Sequence, residues 1–113
     1  MTVTLTKTFL FSASHAQDGR VSGHNYTLRV TFQAPDERAE EALAEKVEKS
    51  LIQKVHSRDL GEHVDFLKGA VPSGPVLLKA FWGILEPAVR PAVLRSLSLE
   101  RDRRTEWTLA VSG

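Results

Sequence analysis

The chain has no cysteine among its 113 residues, which removes disulfides, thiolate metal sites and a cysteine nucleophile together. It also has little excess charge of either sign, with 15 basic residues against 14 acidic ones. Such a balance gives no electrostatic reason to expect nucleic acid or an anionic membrane as partner. Long hydrophobic runs are missing, so no segment approaches the roughly 20 apolar residues of a membrane span. The amino terminus shows no charged-then-apolar leader pattern, and the expected location is cytoplasmic. Internal repeats and low-complexity segments are lacking too. The one concentration of charge, Arg101, Arg103 and Arg104, falls in an expected turn and reads as a solvated hairpin tip rather than a phosphate site.

What is present is ordinary globular material. Hydrophobic residues make up 42% and charged residues 26%, a mixture that argues against disorder. The length fits one domain spanning residues 1–113, small enough that association between subunits would help it.

The first stretch alternates with period two. Val3, Leu5, Phe9, Phe11, Ala13 and His15 fall on one side, with Thr4, Thr6, Thr8, Ser12 and Ser14 opposite, and threonine and aromatic enrichment supports a strand. A second alternation sets His24, Tyr26, Leu28, Val30 and Phe32 against Asn25, Thr27, Arg29, Thr31 and Gln33. Between them, residues 16–23 carry Asp18-Gly19 and Gly23 and read as the turn of an antiparallel hairpin. Pro35-Asp36 then opens a helix with acidic residues early and lysines late, as the macrodipole favours. Its apolar stripe is Ala39, Leu43, Val47, Leu51 and Val55, and Glu45 and Lys49 can pair one turn apart.

A loop over residues 56–74 leads to a second helix, capped by Ser73 or Gly74, with Pro75 in its first turn. Leu77, Leu78, Phe81, Trp82 and Leu85 form its buried stripe, and Pro87 and Pro91 close it. Two strands over 93–100 and 105–111 finish the chain. The order β-β-α-α-β-β predicts an α+β domain, one four-stranded antiparallel sheet with two helices on one face.

His15 and His24 are the chemically interesting pair, because both lie on the apolar side of their strands and bracket the same turn. Opposed across an antiparallel pair, two side chains stand about 5 Å apart. Two imidazoles there could share zinc, although a catalytic zinc takes three protein ligands. A histidine pair at the edge of the core fits the spacing equally well. His63, between Glu62 and Val64, reads as exposed loop.

The segments Phe11-Ser12-Ala13-Ser14-His15 and Gly23-His24-Asn25-Tyr26 resemble the opening of the 6-pyruvoyltetrahydropterin synthase family, which includes the 6-carboxytetrahydropterin synthases. The likeness continues through Val55-His56, Pro72-Ser73-Gly74-Pro75-Val76, Phe81-Trp82 and Leu97-Ser98-Leu99-Glu100-Arg101. It implies the T-fold, and a homo-hexamer in which two trimeric barrels stack. It also implies a reaction on the side chain of dihydroneopterin triphosphate. There zinc on three histidines acidifies hydroxyls, a cysteine moves protons, and an aspartate-held histidine serves as acid.

Several family positions carry other residues here. The zinc histidines correspond to His15, Ser22 and His24, the cysteine to Asp18, and the orienting aspartate to Val55, ahead of His56. The first glutamate of the substrate motif corresponds to Pro75, and the pterin-anchoring glutamate to Arg101, with Glu100 adjacent and able to turn inward at a bulge. The expectation is a divergent homologue that binds a pterin-like or purine-like ligand at a subunit interface. Ser73, Gly74 and Glu100 would meet that ligand, zinc would be absent or weakly held on His15 and His24, and the parent activity would be lost. The alternative is a lyase of altered chemistry using Asp18 and His56 with weak zinc.

Overall fold

A computed structural model describes residues 3–17, 20–33, 37–60 and 73–111. Strands β1 (Leu5–Gln17) and β2 (Arg20–Gln33) form a long antiparallel hairpin whose register runs unbroken from Leu5 opposite Phe32 to Gln17 opposite Arg20. The turn expected over residues 16–23 is therefore much shorter. Asp18 and Gly19, between the two strands, lie outside the described residues. After the helices come β4 (Val93–Arg101) and β5 (Thr105–Ala110), giving the four antiparallel strands read from the sequence. A two-residue parallel strand, β3 (Arg58–Asp59), adds to the edge, so the full order is β3-β1-β2-β4-β5. Two residues carry no periodic signal, which is why the sequence placed them in a loop.

Alternation sends each strand's apolar residues to one side. One row across the sheet is Phe9, Leu28, Leu99 and Trp107, and the next holds Val30, Leu97 and Leu109. Thr8, Arg29, Ser98 and Thr108 form a row on the other side, followed by Thr6, Thr31, Ser96 and Ala110. The helices cover the apolar side, where Phe9, Leu28, Val30, Phe32, Leu97 and Leu99 are buried.

The first helical run starts with a 3-10 turn (Glu37–Ala39), continues as α1 (Glu40–Val47), widens into a π-helical stretch (Glu48–Ile52) and ends as α2 (Gln53–Val55). The wide stretch follows from the spacing of its apolar residues. A side chain every fourth position drifts about 40° per step around a 3.6-residue helix. A π turn holds more residues and takes back part of that drift. Leu43, Val47, Leu51 and Val55 consequently all stay buried. The exposed Glu45–Lys49 pair forms at 2.6 Å.

Helix α3 (Gly74–Ala88) is capped by Ser73, whose hydroxyl accepts from the Val76 N–H at 3.4 Å, and it buries Leu77, Leu78, Phe81 and Leu85. Trp82 is only partly buried. Pro87 lies inside the last turn rather than closing the helix, which runs on to Ala88.

Gly74 is buried against the indole of Trp107, and a Cβ there would overlap that ring. The glycine is thus demanded by packing. Gly74→Ala should cost about 1–3 kcal/mol as overpacking, read as a lower melting temperature. The loss should shrink in a Trp107→Val background, where the ring is gone.

Candidate functional site

An aromatic file leads from the core to the end of the hairpin. Phe81 of α3 meets Phe11 edge-on at 6.1 Å, and Phe11 stacks on Tyr26 at 4.9 Å. Tyr26 meets His24 edge-on at 6.1 Å, and His24 stacks on His15 at 5.7 Å with 26° between the rings. The two histidines do meet, but diagonally. His24 lies opposite Ala13, and His15 lies opposite Ser22. The reason is the register: nine positions separate them, and the short connection pairs residues whose numbers sum to 37, so 15 and 24 miss by two.

The partners of these rings differ. His15 Nδ1 is buried and finds no hydrogen-bond partner among the described residues, an arrangement that costs about 1–3 kcal/mol. His24 Nδ1 lies 2.6 Å from Oδ2 of Asp102. Asp102 sits in the turn between β4 and β5 with a left-handed φ of 52°, a region that aspartate enters more readily than most residues. Its Oδ1 accepts from the Asn25 N–H at 2.9 Å, and its own N–H donates to the Asn25 carbonyl at 2.8 Å. The Asn25 N–H and then the His24 ring hold the Asp102 carboxyl below its ordinary value. Burial raises the Tyr26 phenol, with Arg101 opposing.

His56 ends the first helical run and turns back to β1. The Ser57 N–H donates to the Ser12 carbonyl at 2.6 Å, and the Ser12 N–H donates to His56 Nδ1 at 3.1 Å. With Nδ1 accepting, the neutral ring carries its proton on Nε2. The neutral tautomer of His56 is therefore set by a backbone amide. Val55 itself is fully buried in the core.

Two shallow clefts adjoin these groups. One of about 500 Å³ is lined by Leu10, Ser12, Thr27, His56, Asp102 and Arg103 among others. A second, of about 310 Å³, is lined by Ser12, Ser14, Gly23, His24, Asn25 and Ser57, with Ala13.

The remaining expected residues are dispersed. Ser73 and Gly74 lie near Trp107 of β5, at the far end of the sheet from His56 beside β1. Glu100 faces the uncovered side, where Arg29 approaches it at 3.4 Å. The β2–β4 register is continuous there, its one shift lying at Thr31/Phe32, so no bulge turns Glu100 inward. Asp18 and His63 lie outside the described residues. Arg101 stacks over Trp107 at 5.2 Å instead of pointing into solvent. In the sequence Asp102 stands among arginines and is masked by them. The signal available was an aspartate in a tight turn, where its side chain commonly captures backbone amides.

The structure of Caenorhabditis elegans 6-pyruvoyl tetrahydropterin synthase is similar over 97% of this chain and 96% of that one, with a TM-score of 0.82 and 21% identity. The chain has the 6-pyruvoyl tetrahydropterin synthase fold. No protein-family model matches the sequence, and no curated protein does. Within this T-fold the described residues bring no group of three histidine, cysteine, aspartate or glutamate side chains together to hold a metal ion. His15 and His24 offer two nitrogen donors, one short of a catalytic zinc set, and Asp102 is already engaged by His24. Among the described residues no helix is long and apolar enough to cross a membrane.

Because Val55 is fully buried, an aspartate should not be tolerated at this position. Val55→Asp places a carboxylate in the core and should cost roughly 3–5 kcal/mol, seen as a large fall in the denaturation midpoint. Val55→Ala should cost less, about 1–3 kcal/mol.

Proposed function

We propose that this chain is a divergent member of the 6-pyruvoyltetrahydropterin synthase family that binds a pterin-like or purine-like heterocycle between subunits and does not carry out the family's reaction. The observation that carries the reading is the bond from the Ser12 N–H to His56 Nδ1. A backbone N–H held at Nδ1 leaves the proton of the neutral imidazole on Nε2, where it can be donated to a ligand. His56 is therefore suited to donating from Nε2 to a ligand acceptor. Tight zinc is not part of the proposal, since two nitrogen donors make a weak site.

The dispersal of the other residues supports a composite pocket. Ser73 and His56 stand near opposite ends of one sheet, and closing several sheets into a ring brings such ends together. Both edges invite this. Strand β5 has no outer neighbour among the described residues, and β1 is covered only by the two-residue β3. Exposed edges of that kind are normally protected. The proposed assembly is a homo-hexamer, a dimer of trimers.

Sedimentation should give a hexamer at micromolar concentration, and a monomer there would refute the assembly. Calorimetry with pterin and with guanine should detect binding of at least one, weakened on Ser73→Ala or His56→Ala. Incubation with dihydroneopterin triphosphate, with and without added zinc, should give no enzyme-like turnover by chromatography. Turnover that disappears in Asp18→Ala and His56→Ala variants would replace this reading with that of a lyase of altered chemistry.

A further inference from the structure

The carboxylate of Asp102 has no counterpart in the set of residues expected at the site, yet it makes the shortest hydrogen bond to either hairpin histidine. We propose that Asp102 is a positioning residue that fixes His24 as the Nδ1–H tautomer, so that His24 offers an Nε2 lone pair to a hydroxyl or N–H of the bound heterocycle. An ionised carboxylate can only accept. The 2.6 Å contact therefore requires the proton on Nδ1, and in the neutral ring Nε2 is then bare.

The geometry leaves the ring little choice of orientation. His15 stacks on one face at 5.7 Å, Tyr26 meets it at 6.1 Å, and the side chain keeps only 20% of its exposure. The carboxylate is fixed in turn, because Asn25 binds its other oxygen and the Asp102 N–H is tied to the Asn25 carbonyl. Among the described residues His24 has no hydrogen bond at Nε2, and His24 is one of the residues lining the 310 Å³ cleft, with Ser12, Ser14 and Ser57. His24 and His56 thus present complementary polarity on neighbouring clefts. His56 donates at Nε2, and His24 accepts there. A ligand edge carrying an acceptor and a donor matches that pair. The use of His24 by a ligand rests on the heterocycle-binding reading; its tautomer does not.

The test is long-range proton–nitrogen correlation spectroscopy on the full-length, metal-free, nitrogen-15-labelled protein, at a pH where the imidazoles are neutral. Wild type should show His24 protonated at Nδ1. In Asp102→Asn, the amide oxygen can keep the Asn25 N–H while its NH₂ group faces the ring, so His24 should switch to Nε2–H. Unchanged amide exchange at Asn25 would show that the turn remains folded. A merely structural aspartate would not move the tautomer. Nε2–H in wild type, or no switch in a folded Asp102→Asn variant, would overturn the proposal. If that variant fails to fold, the wild-type tautomer still decides. Pterin binding should weaken about tenfold on Asp102→Asn, the scale of one lost hydrogen bond. Equal binding despite a switched tautomer would overturn the ligand contact. Pterin and guanine binding to neither protein would count against the heterocycle reading and leave the tautomer result standing.

Discussion

Successive residues of a β-strand must point to opposite faces, and this constraint organises the whole molecule through one long hairpin. In β1 and β2 it assigns Phe9, Phe11, Tyr26 and Leu28 to the helix-covered side and Thr8, Ser12, Asn25 and Thr27 to the other. It also fixes the site. His15 and His24 inherit the apolar side because they continue the same alternation past the end of the core, where side chains stay close but the helices no longer cover them. The stacked rings from Phe81 to His15 are the material form of that continuity. Rotating any one of them means disturbing the core.

His24 and His56 are distinguished by what stands behind them. A backbone amide backs His56 and a carboxylate backs His24, although the residue types alone make them equivalent. Ser12, whose N–H holds His56, and Asn25, whose N–H and C=O hold Asp102, lie opposite each other in the hairpin. One pair of strand residues therefore sets the polarity of both rings, using backbone groups that the sequence does not display.

This difference explains what could be read in advance. Strand alternation, the helix stripes and the helix caps are local patterns, so the element order and covered face were visible from residue identity and spacing. Residue likeness to a known family added the topology. Exact register was not visible. The expected turn over residues 16–23 hid the diagonal relation of His15 and His24, and the two-residue β3 had no pattern at all. Asp102 stayed hidden for another reason. Its importance lies in contacts 77 and 78 residues away in sequence, and among arginines it looked like ordinary surface charge. Gly74 likewise gave no sign in the sequence of the Trp107 indole that packs against it.

The π-helical stretch at Glu48–Ile52 has a consequence beyond keeping Val55 in the core. It works as a phase adjuster between the start of the helix and the segment that follows. Removing one residue there would shorten the run by only about 1.5 Å, but would swing everything beyond it by about 100°. His56 would leave the Ser12 amide, and the Ser57 N–H would lose its carbonyl. A deletion on an exposed helix face would thus act on the site through angle rather than distance.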